Sequence, residues 1–145
     1  MATYTSAQAT AGKVRNLETG IQYAQAGPIG TGGVSLSAGD VFVGVPVPHG
    51  AIVTHIDVWG NVPGVSAGLL LGVGDGGSTS RFGSVSMSAT AQMVSPPMPT
   101  GPYRYSLSDA LVPRFDTIDL IATTVGSSTL TASLFIGVAY YMPPA

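Results

Sequence analysis

The chain has no cysteine, so no disulfide and no thiolate metal site can hold it together. Charge is scarce too. Lys and Arg number 5 and Asp and Glu number 7, which makes 8% of residues charged and the formal net charge −2. An average soluble protein carries about 25%. So few, scattered basic residues exclude a surface that binds nucleic acid by neutralising phosphates. A coiled coil is excluded on the same ground. Lys13 and Glu18 are the sole lysine and glutamate, so an exposed helix face has nothing to be built from. Long apolar runs are missing as well. The longest, Leu134 to Met142, has nine residues and includes Gly137, whereas a membrane-spanning helix needs about 20. Met1 to Asn16 lacks the apolar stretch of a secretory signal, and the aromatic girdles of an outer-membrane barrel are absent. The expectation is a soluble protein made in a cytoplasm, with no membrane partner.

What is present is glycine (20), proline (11) and 45% apolar residues in a chain of 145, a length that suits one domain. Period-two alternation recurs along it, the pattern of half-buried strands. Val41, Val43, Val45 and Val47 share one face of a segment. In the next, Ile52, Thr54, Ile56 and Val58 oppose Val53, His55, Asp57 and Trp59. Further inward sets are Ala67, Leu69, Leu71 and Val73; then Ile118, Leu120 and Ala122; then Leu130, Leu134, Ile136, Val138, Tyr140 and Met142. Weaker strands are expected at Thr19 to Ala26, Arg81 to Ser88 and Tyr103 to Leu107. Turn-forming clusters separate them: Gly27-Pro28 through Gly33, Pro48-His49-Gly50, Pro63-Gly64, Asp75-Gly76-Gly77, Pro96 to Pro102, Pro113 and Gly126-Ser127-Ser128. About eight short strands imply an all-β antiparallel sandwich, of jelly-roll type, with the last two strands expected as a hairpin. Residues 1–18, small and polar, read as an extended N-terminal arm on a single domain of residues 19–145. The proline-rich Ser95 to Pro102 reads as a stiff surface loop.

Several motifs carry chemistry in other settings. Gly64-Val65-Ser66-Ala67-Gly68 matches a nucleophile elbow, but a strand rather than a helix follows and both histidines precede the serine. Gly72-Val73-Gly74-Asp75-Gly76-Gly77 matches a dinucleotide fingerprint, yet Ser78 to Ser88 has no helical period to face a pyrophosphate. Both read as turns. His55 and Asp57 share a strand face and could bind a divalent ion with His49, but an exposed pair on a sheet is the simpler reading. Asp40, Asp75 and Asp109 fall at turns, where Asp bonds its own backbone. No catalytic pair, cofactor site or metal site is expected, and the chain does not read as an enzyme.

Contact residues are a different matter. Arg81, Arg104 and Arg114 each border an aromatic: Phe82; Tyr103 and Tyr105; and Phe115. Arginine beside an aromatic can stack and bind acidic partners. With Trp59, the candidate interface is Trp59, Arg81, Phe82, Tyr103, Arg104, Tyr105 and Arg114. Apolar residues on both faces of several strands, with Phe42, Val53 and Trp59 as the surplus, call for cover by neighbouring copies, so a homo-oligomer is expected.

The polar arm, the Gly30-Thr31-Gly32-Gly33 and Gly64 to Gly68 turns, the block Arg114-Phe115-Asp116-Thr117-Ile118 and the closing Leu130 to Met142 strand together resemble small all-β virion proteins of tailed bacteriophages, of the capsid decoration (cement) or head-fibre-base type. That resemblance implies a trimer at three-fold or quasi-three-fold sites, contacts from arm and loops to the major capsid protein, a place on the capsid surface after synthesis in the bacterial cytoplasm, and no catalytic residues. A second expectation is a carbohydrate- or receptor-binding module, with Trp59, Tyr103 and Tyr105 as a stacking platform and Asp57 or Asp75 accepting sugar hydroxyls.

Overall fold

The computed structural model describes residues 3–5, 21–30, 37–61, 69–87, 92–99, 101–105, 115–125 and 133–143. Among them are ten strands: β1 (Thr3–Thr5), β2 (Gln22–Gly30), β3 (Val41–Pro48), β4 (Ile52–Asn61), β5 (Leu69–Asp75), β6 (Ser78–Met87), β7 (Gln92–Val94), β8 (Tyr103–Arg104), β9 (Phe115–Val125) and β10 (Ser133–Tyr141). One sheet runs β1-β3-β9-β5-β6 and the other β2-β10-β4-β7, with β8 also paired to β4. Every pairing is antiparallel except β1 on β3. Four pairs nest: β2 with β10, β3 with β9, β4 with β7, and β5 with β6. Such nesting is one long hairpin rolled so that successive pairs alternate between two sheets. Its tip is the β5–β6 turn at Gly76 and Gly77, where Asp75 Oδ1 accepts both the Gly77 and Ser78 amides at 2.9 Å.

The core lies between the sheets, as the alternation requires. Leu69, Leu71 and Val73 from β5 and Ile118, Leu120 and Ala122 from β9 face Leu134, Ile136, Val138 and Tyr140 from β10, all fully buried. Each large aliphatic side chain so buried contributes about 1.5–3 kcal/mol. Strands β9 and β10 therefore lie in opposite sheets around the core. They are not the hairpin expected from the turn at Gly126 to Ser128, since β9 pairs with β3 and β5, and β10 with β2 and β4.

Two inward sets also differ from the simple alternation, for one reason. A bulge inserts a residue and flips the parity of everything beyond it. In β3 the register shifts between Val43 and Val45, so Phe42, Val45 and Val47 are buried while Val41 and Val43 turn outward. In β4 the partner's register shifts between Ala139 and Tyr140, skipping Thr54. Val53, Ile56 and Val58 then face the core, and Ile52 does not. Phe42 and Val53 are thus interior residues and not part of a surplus outer face. A third bulge corrects the reading of Gly27-Pro28 as a break, because β2 continues through it to Gly30. The weak strands likewise shift: β2 replaces Thr19 to Ala26, β6 starts at Ser78 and β8 ends at Arg104. Of the arm, Thr3 to Thr5 lies along β3; the remainder is outside the described residues, as are Gly64 to Gly68, Asp109, Arg114 and Leu130.

Candidate functional site

Beyond the β4 bulge, His55, Asp57 and Trp59 point away from the core on the outer face of the β2-β10-β4-β7 sheet. In register, Trp59 lies opposite Met93 of β7 on one side and Phe135 of β10 on the other. The Trp59 and Phe135 rings are parallel to within 3°, with centroids 5.6 Å apart. Next to Phe135 comes the β2 bulge. Gly27 sits there with φ +142°, and a Cβ on it would lie 2.6 Å from the Phe135 ring. Only glycine leaves room for the ring and accepts that backbone. An apolar row therefore crosses all four strands, from Met93 (65% exposed) through Trp59 and Phe135 to the bulge.

A polar cluster runs beside the row. Asp57 accepts hydrogen bonds from Ser95 Oγ (2.7 Å) and Tyr23 Oη (3.1 Å), and its Oδ1 lies 2.8 Å from His55 Nε2. Burial alone would raise its pKa. The hydrogen bonds from Ser95, His55 and Tyr23, with the His55 charge, outweigh burial and hold the carboxyl below its usual range. Tyr23 reaches Asp57 by lying over Gly137, where any Cβ would overlap its hydroxyl end. Its phenol is pushed up by burial and by the neighbouring carboxylate.

A second cluster sits at the tip of the rolled hairpin. Arg81 binds Asp75 through Nε–Oδ2 at 2.5 Å and Nη2–Oδ1 at 3.1 Å, and its guanidinium lies 4.5 Å from the Tyr103 ring centroid. Tyr105 Oη donates to Asp75 Oδ2 at 2.9 Å. Tyr103 meets Tyr105 edge-on at 5.1 Å and Phe82 edge-on at 5.9 Å. The Asp75 side chain is 1% exposed. Burial would raise its pKa, but the bonds from Arg81, Tyr105 and Gly77 carry it below the usual range. Tyr105 is pushed well up by burial and by the Asp75 charge beside it.

The structure thus brings Arg81, Phe82, Tyr103 and Tyr105 together. Phe82 and Tyr105 are buried at 0% and 2%, so their rings support the cluster from beneath and present nothing to a partner. Arg104 is exposed. Trp59 stands apart. Tyr103 pairs with Val53 near one end of β4, and six residues of strand, about 20 Å, separate Val53 from Trp59. The expected Trp59, Tyr103 and Tyr105 platform is therefore not assembled, and Asp75 is too buried to accept sugar hydroxyls. Phe135, Met93 and Tyr23 were missed by the alternation. For Phe135 the signal was a large side chain at the outward parity of a strand whose inward set was already clear; for Tyr23 and Met93 no inward set was read, and no strand was expected at Gln92–Val94.

The glycine motif at Gly72 to Gly77 is a strand-turn-strand, with no helix to face a phosphate. His49 lies in the β3–β4 turn, away from the His55–Asp57 pair. Asp40 accepts the Ser37 amide at 2.9 Å, which is turn chemistry.

A two-sheet sandwich of nested pairs, all-β among its described residues, is the class of fold this chain has. It is similar to a chain of the Ralstonia phage GP4 capsid, with TM-score 0.64 and 10% identity over 99% of this chain and 100% of that one. It is also similar to a chain of the cyanophage Pam1 capsid asymmetric unit, with TM-score 0.54 and 16% identity over 89% of each. No protein-family model and no curated protein matches the sequence. At these identities the likeness is one of fold.

Proposed function

We propose that this chain is a structural protein of a bacteriophage virion, most specifically a decoration (cement) protein that binds the outer capsid shell and fastens adjacent capsomers. The observation that carries this reading is the near end-to-end likeness to chains of two phage capsids. The nested strand order supports a jelly-roll, a plan that capsid domains use widely. Physical texture agrees with permanent assembly. With 8% charged residues, a freely dispersed monomer has little to keep it apart from its copies. The Met93–Trp59–Phe135 row, with exposed Tyr23 lying over nearby Gly137, is an apolar strip that a neighbouring subunit would cover. Trp59, Arg81, Tyr103 and Arg104 are the contact residues in this reading, with a homotrimer and the major capsid protein as partners. Clamping needs about 800 Å² per subunit face for an ordinary stable interface. The role is mechanical, and it places the protein on the capsid surface after synthesis in the host cytoplasm.

Electron microscopy of capsids assembled with and without the protein tests this directly. Additional density on the outer shell at capsomer junctions is expected. Shells identical in both preparations would overturn the decoration role.

A further inference from the structure

Strand β1 is unlike the other nine. Its sole pairing among the described residues is parallel, and it lies on the outer edge of β3 through Thr3↔Val41, Tyr4↔Phe42 and Thr5↔Val43. Without it, β3 would be the open edge of its sheet, with unpaired backbone groups at Val41 to Val43. The connection back to β2 is long. Residues 6–21 separate Thr5 from Gln22, a stretch of chain that can span roughly 50 Å when extended. Yet β1 and β2 approach within 8 Å at their Cα atoms. Neither strand exceeds about 30 Å in length, so Thr5 and Gln22 stand closer together than the reach of the connection, which leaves chain to reach a neighbour.

We propose that the β3 edge at Val41–Val43 receives Thr3–Thr5 of a second copy of this chain, so that β1 is an exchanged strand joining copies. The backbone bonds made in the exchanged and closed forms are the same, which is what makes such exchange inexpensive. Magnitudes leave the closed form little advantage over the exchanged one once copies are adjacent. Each bond in a three-residue ladder is worth about 0.5–1.5 kcal/mol net, while ordering each residue costs about 1–2 kcal/mol. On a lone molecule the strand gains almost nothing. Between copies already held side by side, the same few bonds act as a tether at about millimolar effective concentration. The uncovered Met93–Trp59–Phe135 row gives copies a reason to be adjacent. The exchange does not depend on binding to a shell.

The natural absence of cysteine makes the test clean. Thr5→Cys and Val43→Cys are made as separate variants, refolded together and oxidised. Thr3→Cys with Val41→Cys serves as a second pair in case one variant fails to fold. Register partners at strand spacing are within disulfide reach. A covalent dimer of the mixed pair, in about tenfold greater yield than from either variant alone, is expected if a seated strand sees its partner at millimolar effective concentration. The double variant Thr5→Cys/Val43→Cys, oxidised under conditions where light scattering shows an oligomer, should give covalently linked multimers. Intrachain bonds alone in that oligomer, with no mixed dimer, would overturn the exchange. So would a single-copy mass at every concentration. Neither result would touch shell binding, which is read separately by microscopy.

Discussion

Phe135 lies parallel to Trp59 at 5.6 Å on the outer face of one sheet, and its other side is fitted to a bulge at Gly27 that no other residue could form. Two neighbouring strands have therefore placed large rings where a solvated sheet face would carry Ser or Thr. Paired aromatics are worth about 0.5–1.5 kcal/mol beyond their buried area, so the stack is stable without a partner. It nevertheless leaves an apolar strip for one.

Trp59→Ala should separate these two roles. Losing the stack costs about 0.5–1.5 kcal/mol, which lowers the melting temperature of a chain this size by roughly 1–6 °C. The domain should stay folded by circular dichroism. Cosedimentation with capsid shells should fall by at least about tenfold if the ring is a central contact, since such anchors cost about 2 kcal/mol or more when truncated. Retained cosedimentation would remove Trp59 from the contact surface.

The two glycines beneath the aromatics should respond differently to one added methyl group. Gly27→Ala meets both the Phe135 ring and a positive φ that L-residues avoid. Its melting temperature should drop by more than that of Trp59→Ala. Gly137→Ala meets only the far end of Tyr23, which is 39% exposed and can swing away. That variant should lose under about 1 kcal/mol in denaturant unfolding. It should also release Tyr23 from Asp57, so the phenol titrates at lower pH than in the parent, read by ultraviolet difference spectra.

Much of this was legible from residue order. Among the described residues, period two located the inward sets of β5, β9 and β10 correctly, because the extra residue of the β5–β9 register shift, Thr123, falls on β9 beyond Ala122 and the β5–β6 shift falls beyond Val73. It failed in β3 and β4, where Phe42 and Val53 were assigned outward. A bulge is set by the partner strand's backbone, through pairings such as Val43 with Asp119 and Val45 with Ile118, and a single strand's alternation carries no record of it. The pairing of β9 and β10 failed for a similar reason. A Gly-Ser connection marks a change of direction, not whether the chain returns to the same sheet or crosses to the facing one. Asp75 was legible as a turn residue. That it also gathers Tyr105 depends on the chain just past β8 arriving from 30 positions away.

Asp75 accepts bonds from two backbone amides, the Arg81 guanidinium and the Tyr105 hydroxyl, and replacing it leaves all of these donors short of a partner. Asp75→Ala should cost roughly 3–5 kcal/mol, the range for breaking a buried pair from one side. Arg81→Ala should cost less, since its side chain is 25% exposed and its loss leaves Asp75 three donors. The Asp75 pKa is lowered by folding. Its contribution is therefore complete above the unfolded value of 3.8 and is lost as pH falls through the lower folded value. Denaturant midpoints measured down through pH 3 should show the parent losing stability more steeply than Asp75→Ala.

Asp119 works in the opposite sense. It is 7% exposed and accepts the Gly44 amide at 3.3 Å. Burial raises its pKa to about 7; bonds from Thr117 and Gly44 restrain the rise, and the Asp116 and Asp75 charges add to it. A raised folded pKa means the neutral acid fits the site better than the carboxylate. Stability from this group is thus complete below 3.8 and lost as pH climbs through about 7. Asn keeps an oxygen for the Gly44 amide and has no charge to desolvate. Asp119→Asn should therefore raise the melting temperature at pH 8 while changing it little at pH 4. A variant equally or less stable than the parent at pH 8 would overturn the view that the buried charge costs stability there.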